Sequence, residues 1–255
     1  MPRIPMGAAA VGEGRMKSTI FQIENIPAVL YGEDAERVFL FVHGQCGNKE
    51  EGERFAHVAA PYGYQVLAVD LPEHGGRSDG AKLVPWEVVP ELQRVIRYAK
   101  TRWEQISVRA ISIGAWFSLL SFAQERVEQC LLSSPLTDME GFIRGLMLSA
   151  RVTEEQLRAA GEIKIPGGQT LSYPYLCFAR EHPVCAIGLR TAVLYATGDR
   201  VIPRASVDRF VGENRCALTI IEGGEHWIHL PCDVEEMRLW EVREIERGNQ
   251  RNQNG

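Results

Sequence analysis

The stretch Ile106–Phe117 constrains the fold of this chain more than any other part of it. Ile106, Val108 and Ala110 alternate with Ser107 and Arg109, the period of a strand, and Trp116, Leu119 and Leu120 then recur at helical spacing. Between the two patterns lies Ala110-Ile111-Ser112-Ile113-Gly114. A strand that reverses directly into a helix forces its turning residue into a strained backbone conformation. The residues two positions away on either side must then be small, or their side chains collide with the turn. Ser112 is therefore expected on a sharp bend with a helix N-terminus behind it, a place to hold a nucleophile. Alone, a small-x-Ser-x-Gly pattern fits a purely structural turn equally well, and the usual first glycine is here Ala110.

The change of period repeats along the chain. Short strands are expected at Ser18–Glu24 and Pro27–Tyr31. Arg37–Val42 and Gln65–Val69 are nearly unbroken apolar runs, as in central strands covered on both faces. Val127–Ser133, Thr191–Ala196 and Ala217–Ile221 read as further strands. Helices are expected at Glu50–Ala60, Trp86–Arg102, Arg204–Gly212 and Val234–Glu246. Strands separated by helices imply an α/β fold: a mostly parallel central sheet, right-handed crossovers, and helices on both faces. The active crevice of such a sheet lies at the carboxyl ends of its strands.

One segment breaks the rhythm. Leu136–Val184 is too long for a single crossover helix and is expected to form a short helical cap over the strand ends. The domain organisation expected is a disordered leader at 1–16, one domain at 17–248 with its cap at about 136–184, and a frayed tail at 249–255.

A length of 255 residues suits one α/β unit with an insertion. A net charge of −5 without any dense Lys/Arg run argues against a nucleic-acid partner. No apolar run approaches the roughly 20 residues of a membrane span. The six cysteines are scattered, with no C-x-x-C pair, which reads as reduced thiols in a cytoplasmic protein rather than a metal site or a disulfide framework.

The loops that follow the later strands carry chemistry. Thr191–Ala196 empties into Thr197-Gly198-Asp199, and Ala217–Ile221 into Glu222-Gly223-Gly224-Glu225-His226. A serine hydroxyl is protonated at neutral pH, so a neutral imidazole must take its proton during attack. A buried carboxylate then fixes the imidazole tautomer and stabilises the imidazolium that forms. Ser112, Asp199 and His226 supply one of each. The tetrahedral oxyanion needs two preorganised donors, for which Gln45 N–H and Ile113 N–H are the candidates.

Five motifs now stand in order: His43-Gly44-x-x-Gly47-Asn48, Asp70-Leu71-Pro72-x-His74-Gly75, the Ser112 turn, Gly198-Asp199, and Gly224-x-His226. Together they make the chain, from about Val38 to Trp240, resemble the α/β-hydrolase family in its small esterase/lipase-like branch. The resemblance implies Ser112 as nucleophile, His226 as general base and then acid, Asp199 as the orienting acid, and Gln45 and Ile113 as the oxyanion hole. Asp138 is an alternative acid, because it follows the strand ending at Ser133 and some family members place the acid there, and His229 is an alternative base. His43 and His74 are expected to brace loop backbone, and Cys46 to be a loop thiol without an elbow.

The function expected is a carboxylesterase-like serine hydrolase acting on a small-molecule ester or thioester, with no cofactor and no metal, as a monomer or homodimer. Phe142, Leu146, Met147, Tyr173 and Tyr175 of the cap are expected to line an apolar acyl pocket. Two other classes use the same residues: a non-catalytic receptor or interaction module on the same scaffold, and an amide or C–C bond hydrolase.

Overall fold

The structure, a computed structural model, describes residues 16–188 and 190–252. The expected leader, Met16 apart, and the last three residues of the expected tail lie outside the described residues. In chain order the elements begin with β1 (Ser18–Ile23), β2 (Ile26–Tyr31), β3 (Arg37–Val42), α1 (Gly52–Ala59) and β4 (Tyr64–Val69). They continue with α2 (Pro85–Lys100), β5 (Gln105–Ile111), α3 (Ile113–Ser121) and β6 (Cys130–Ser133). After β6 come α4 (Met139–Ala150), α5 (Glu154–Ala160), the hairpin β7 (Glu162–Lys164) and β8 (Thr170–Ser172), and α6 (Tyr173–Glu181). The chain closes with β9 (Thr191–Ala196), α7 (Arg204–Asn214), β10 (Ala217–Ile221) and α8 (Pro231–Asn252).

Eight strands form one sheet in the order β1-β2-β4-β3-β5-β6-β9-β10. β2 pairs antiparallel with β1 and β4, and every pair from β4 to β10 is parallel. The register aligns the strand ends. Val42 of β3 stands opposite Val69 of β4 and Ala110 of β5, and Ile111 stands opposite Ser133 of β6. The loops that begin at His43, Asp70, Ser112, Ser134, Thr197 and Glu222 therefore emerge along one rim.

Both faces of the sheet are covered, and the period of two sorts each strand between them. Val38, Leu40 and Val42 join Val108, Leu132 and Val193 beneath α2, α3 and the β6–β9 segment. Phe39 and Phe41 join Leu131, Leu194, Phe55 of α1 and Trp240 of α8 on the other face. Each fully buried side chain of this kind contributes about 1.5–3 kcal/mol, which explains why the near-continuous apolar runs become the middle of the sheet.

Some boundaries differ from expectation. β6 starts at Cys130 rather than Val127, and α8 extends from Pro231 to Asn252, through the first residues of the expected tail. Ser107 and Arg109, which alternation marks as a polar face, are both fully buried. Between β6 and β9 the aromatic stretch Tyr173–Phe178 lies within α6, and α5 starts on a capping box of Thr153 and Gln156. Arg144 and Arg180 each bond both Glu140 and Glu154, which ties α4 and α6 to the start of α5.

Candidate active site

Ser112 alone separates β5 from α3, with φ 51° and ψ −119°. That strained conformation is held from both sides. Ser112 N–H donates to Ser133 O of β6 at 3.1 Å, and Ser112 O accepts from Ala115 N–H at 3.0 Å and Leu136 N–H at 3.1 Å. The end of β3 passes directly against the start of α3. A Cβ at position 114 would lie 2.2 Å from His43 O and 2.8 Å from Val42 O, so only glycine fits there. On the other side of the turn, the buried methyl of Ala110 is accommodated.

Asp199 sits in the loop after β9, its carboxylate wholly shielded from water. One oxygen, Oδ1, accepts from Val201 N–H at 2.7 Å and Ile202 N–H at 2.8 Å. The other, Oδ2, accepts from His226 Nδ1 at 2.7 Å. A buried carboxylate is tolerated only when its lone pairs are met in this way. Because a carboxylate only accepts, Nδ1 carries the imidazole proton and Nε2 is left as an acceptor. Ser112 Oγ lies 2.9 Å from that Nε2 and donates to it. The β9 and β10 loops are pressed together to allow this. Gly198 N–H donates to Gly224 O at 2.8 Å, and a Cβ on Gly198 would come within 2.6 Å of the same oxygen. Ser134 Oγ donates to His226 O at 3.0 Å and holds the histidine from below.

The first glycine loop is braced by two histidines. His43 donates from Nδ1 to Gly44 O at 2.7 Å and accepts Leu71 N–H on Nε2 at 3.0 Å. His74 donates from Nδ1 to Pro72 O at 2.8 Å and accepts Cys46 N–H on Nε2 at 3.0 Å. Both rings are consumed by backbone. Burial pushes the His43 imidazole down to about 4, so it stays neutral. Gln45 N–H and Ile113 N–H, by contrast, meet no acceptor among the described residues. Ile113 opens α3, where the first N–H groups have no carbonyl within the helix to bond.

The competing candidates are engaged elsewhere. Asp138 caps α4 by accepting Gly141 N–H at 2.8 Å and pairs with Arg209 at 2.5 Å. His229 bonds Trp227 O at 2.8 Å and stacks on the Trp227 ring. Cys46 is an exposed thiol in the β3 loop. In the cap, Met147 is buried in the core, with Phe142, Leu146, Tyr173 and Tyr175 partly buried against it. Tyr175 reaches the helix behind Ser112, its ring stacked on Trp116 at 5.8 Å.

No family model matches the sequence, and no curated protein matches it. Solved structures do. Est1E from Butyrivibrio proteoclasticus, solved with ferulic acid bound, superposes with a TM-score of 0.75 at 18% identity, over 91% of this chain and 99% of that one. Mouse alpha/beta hydrolase domain-containing protein 10 gives 0.69 at 13% identity, over 92% and 99%. The Pyrococcus furiosus esterase Pf2001 gives 0.63 at 15% identity, over 96% of each. The chain has the α/β-hydrolase fold.

Within the α/β-hydrolase fold, the residues that sequence reasoning singled out as nucleophile, base and acid come from loops after β5, β10 and β9 and meet at one rim. What that reasoning missed is the polar support behind them. The Val201 and Ile202 amides and the Ser134 hydroxyl are seen only once loops are placed. Arg109 was visible as a charge in the middle of an apolar strand, a signal that it must be paired. Among the described residues no helix is long and apolar enough to cross a membrane, and no group of three His, Cys, Asp or Glu is placed to hold a metal ion.

Proposed function

We propose that this protein is a serine hydrolase that cleaves carboxylic ester or thioester bonds through an acyl-enzyme on Ser112. The observation that carries the reading is the unbroken relay: Ser112 Oγ to His226 Nε2 at 2.9 Å, and His226 Nδ1 to Asp199 Oδ2 at 2.7 Å. In the proposed cycle Ser112 Oγ attacks the scissile carbonyl carbon as its proton passes to His226 Nε2. The oxyanion that forms takes Gln45 N–H and Ile113 N–H. Collapse expels the alcohol or thiol, which leaves with the proton from His226. Water then attacks the acyl-enzyme, His226 accepts its proton, and release of the acid returns a proton to Ser112. Asp199 keeps its charge throughout and stabilises the imidazolium.

The acyl group is proposed to lie under the cap, against Phe142, Leu146, Met147, Tyr173 and Tyr175. The six cysteines are all unpaired, which supports a reducing, cytoplasmic setting. The test is turnover of p-nitrophenyl esters of increasing acyl length. The series includes an aryl acyl ester, because the similarly folded Est1E was solved with ferulic acid. Turnover that falls at least about 10³-fold in Ser112→Ala is expected. Hydrolysis of none of the esters by wild type would favour a non-catalytic receptor, and faster cleavage of matched anilides would favour an amide hydrolase.

A further inference from the structure

The loop that carries His226 has a gap to cross. It leaves β10 at one edge of the sheet, whereas Ser112 follows β5, with β9 and β6 between them. Three strand spacings separate β10 from β5, roughly 14 Å. The loop is fastened at each strand it crosses. Past the end of β9, Gly198 N–H donates to Gly224 O at 2.8 Å, and Thr197 Oγ1 accepts Gly223 N–H at 2.7 Å. Past the end of β6, Ser134 Oγ donates to His226 O at 3.0 Å. No other donor reaches His226 O among the described residues.

Ser134 holds its place under strain. Its φ is 45°, in the left-handed region that favours glycine, and the following Pro135 restricts it further toward extended backbone. Strain of this kind persists only where the surroundings over-determine it. Here the surroundings belong to the nucleophile. Ile111 stands opposite Ser133, so Ser112 and Ser134, both with positive φ, leave adjoining strands side by side. Ser133 O accepts Ser112 N–H and Leu136 N–H donates to Ser112 O, each at 3.1 Å. Ser134 N–H donates to Leu194 O of β9 at 2.8 Å. The segment 133–136 therefore grips the nucleophile by both of its backbone groups and the base by its carbonyl. A glycine at position 134 would adopt the same backbone freely, but it would have no hydroxyl to offer.

We propose that Ser134 is a positioning residue for the general base. Through His226 O it fixes where Nε2 stands relative to Ser112 Oγ, and its strained backbone is what places a hydroxyl at that point. The 2.9 Å between Oγ and Nε2 is then set by tethers to one short segment rather than by the long reach from β10. The proposal rests on Ser112 being the nucleophile and His226 its base. It adds a residue that touches neither the substrate nor a reacting atom. A displacement of about 1 Å in such an arrangement can lower a rate by about 10²-fold.

Ser134→Gly and Ser134→Ala separate positioning from structural support. Both remove the hydroxyl, but glycine also relieves the strain and alanine keeps it. Ser134→Gly should therefore melt above Ser134→Ala, at or near the wild-type temperature. In both variants kcat for p-nitrophenyl butyrate is expected to fall by about 10- to 10²-fold. His226 serves acylation and deacylation alike, so the two steps slow together and KM stays near the wild-type value. Phosphonylation of Ser112 by a fluorophosphonate should slow by a similar factor. Activity that tracks melting temperature instead, with Ser134→Gly as fast as wild type, would overturn the positioning role and leave the hydrolase reading intact. A loss carried by KM with kcat unchanged would overturn it too. A wild-type protein that neither labels at Ser112 nor hydrolyses the ester would overturn the hydrolase reading, and the positioning role with it.

Discussion

The guanidinium of Arg109 lies 3.0 Å from Glu241 Oε1, and neither side chain touches solvent. The two residues are 132 positions apart, one on the strand that leads into Ser112 and one on the C-terminal helix. Arg109 also donates to Ala110 O and Ser133 Oγ, each at 3.0 Å. Ala110 is two residues before the turn, and Ser133 is the residue whose carbonyl receives Ser112 N–H. The rings of Phe55 and Trp240 flank the cation at 5.8 and 5.4 Å. Burial pushes the Arg109 guanidinium down, yet an arginine keeps its proton. Burial alone would raise the Glu241 carboxyl, but Arg54 and Arg109 together outweigh it and hold the group below its usual range. The strand that leads into Ser112 is therefore fastened to α8 by charges that must stay charged.

That pairing is unequal, and the inequality is testable. Glu241→Leu strands Arg109 as a buried, unpaired cation and should cost about 3–5 kcal/mol. Arg109→Leu leaves Glu241 with Arg54, which bonds it at 2.9 and 3.1 Å, and should cost less. Urea unfolding at constant m-value measures both. Equal losses, or a larger loss in Arg109→Leu, would contradict the arrangement.

At position 114 a single methyl should disarm the site. The clash with His43 O at 2.2 Å can be relieved only by moving the loop that carries Gln45 N–H away from α3. Gly114→Ala is expected to lower kcat by at least about 10²-fold, the value of one oxyanion donor, and to destabilise the fold. Gly145→Ala is the control. Nothing lies within 4 Å of a Cβ there, so this change in the middle of α4 should stabilise by about 0.5–1 kcal/mol with activity retained.

Asp199 and Asp138 are distinguished by one isosteric change each. Asp199→Asn keeps the shape but presents an amide to His226 Nδ1, which disfavours the tautomer that Ser112 needs. A fall in kcat of about 10⁴-fold is expected. Asp138→Asn should leave kcat near wild type, because its partners are Gly141 and Arg209 rather than the histidine. Ester turnover by the two variants decides between them, and the reverse ranking would make Asp138 the acid.

His43 gives the fold an acid-sensitive joint. Its ordinary value is 6.5 and burial lowers it to about 4, so between those pH values the unfolded chain binds the proton and the folded chain does not. The stability it contributes is present above pH 6.5 and is lost as the pH falls toward 4, by an amount on the order of 3 kcal/mol. Urea unfolding at pH 7 and pH 5 should show a smaller difference for His43→Gln than for wild type. The same difference in both proteins would place the titrating group elsewhere.

How much of this was legible beforehand depends on how local each feature is. β3, β9 and β10 were readable to the residue because apolar runs and their bounding turns are local signals. That Ser112, Asp199 and His226 stand on loops at one rim was readable because each follows the end of a strand. The hairpin of β7 and β8 was not, since two three-residue strands are too short to show a period. α6 was hidden by Pro174 at its start, although proline is well tolerated in a first turn. Arg109 was misread for a deeper reason. Alternation reports which residues share a face, but it does not report that a distant glutamate on α8 makes the other face an interior too.

The measurement that bears most directly on Ser112 is covalent labelling by a fluorophosphonate, with the adduct located by peptide mass spectrometry. A serine activated by His226 should be phosphonylated stoichiometrically at Ser112. The adduct should be absent in Ser112→Ala and form far more slowly in His226→Ala. No adduct at Ser112 in the wild-type protein, or labelling at another residue that Ser112→Ala leaves intact, would show that the relay is not a working nucleophile.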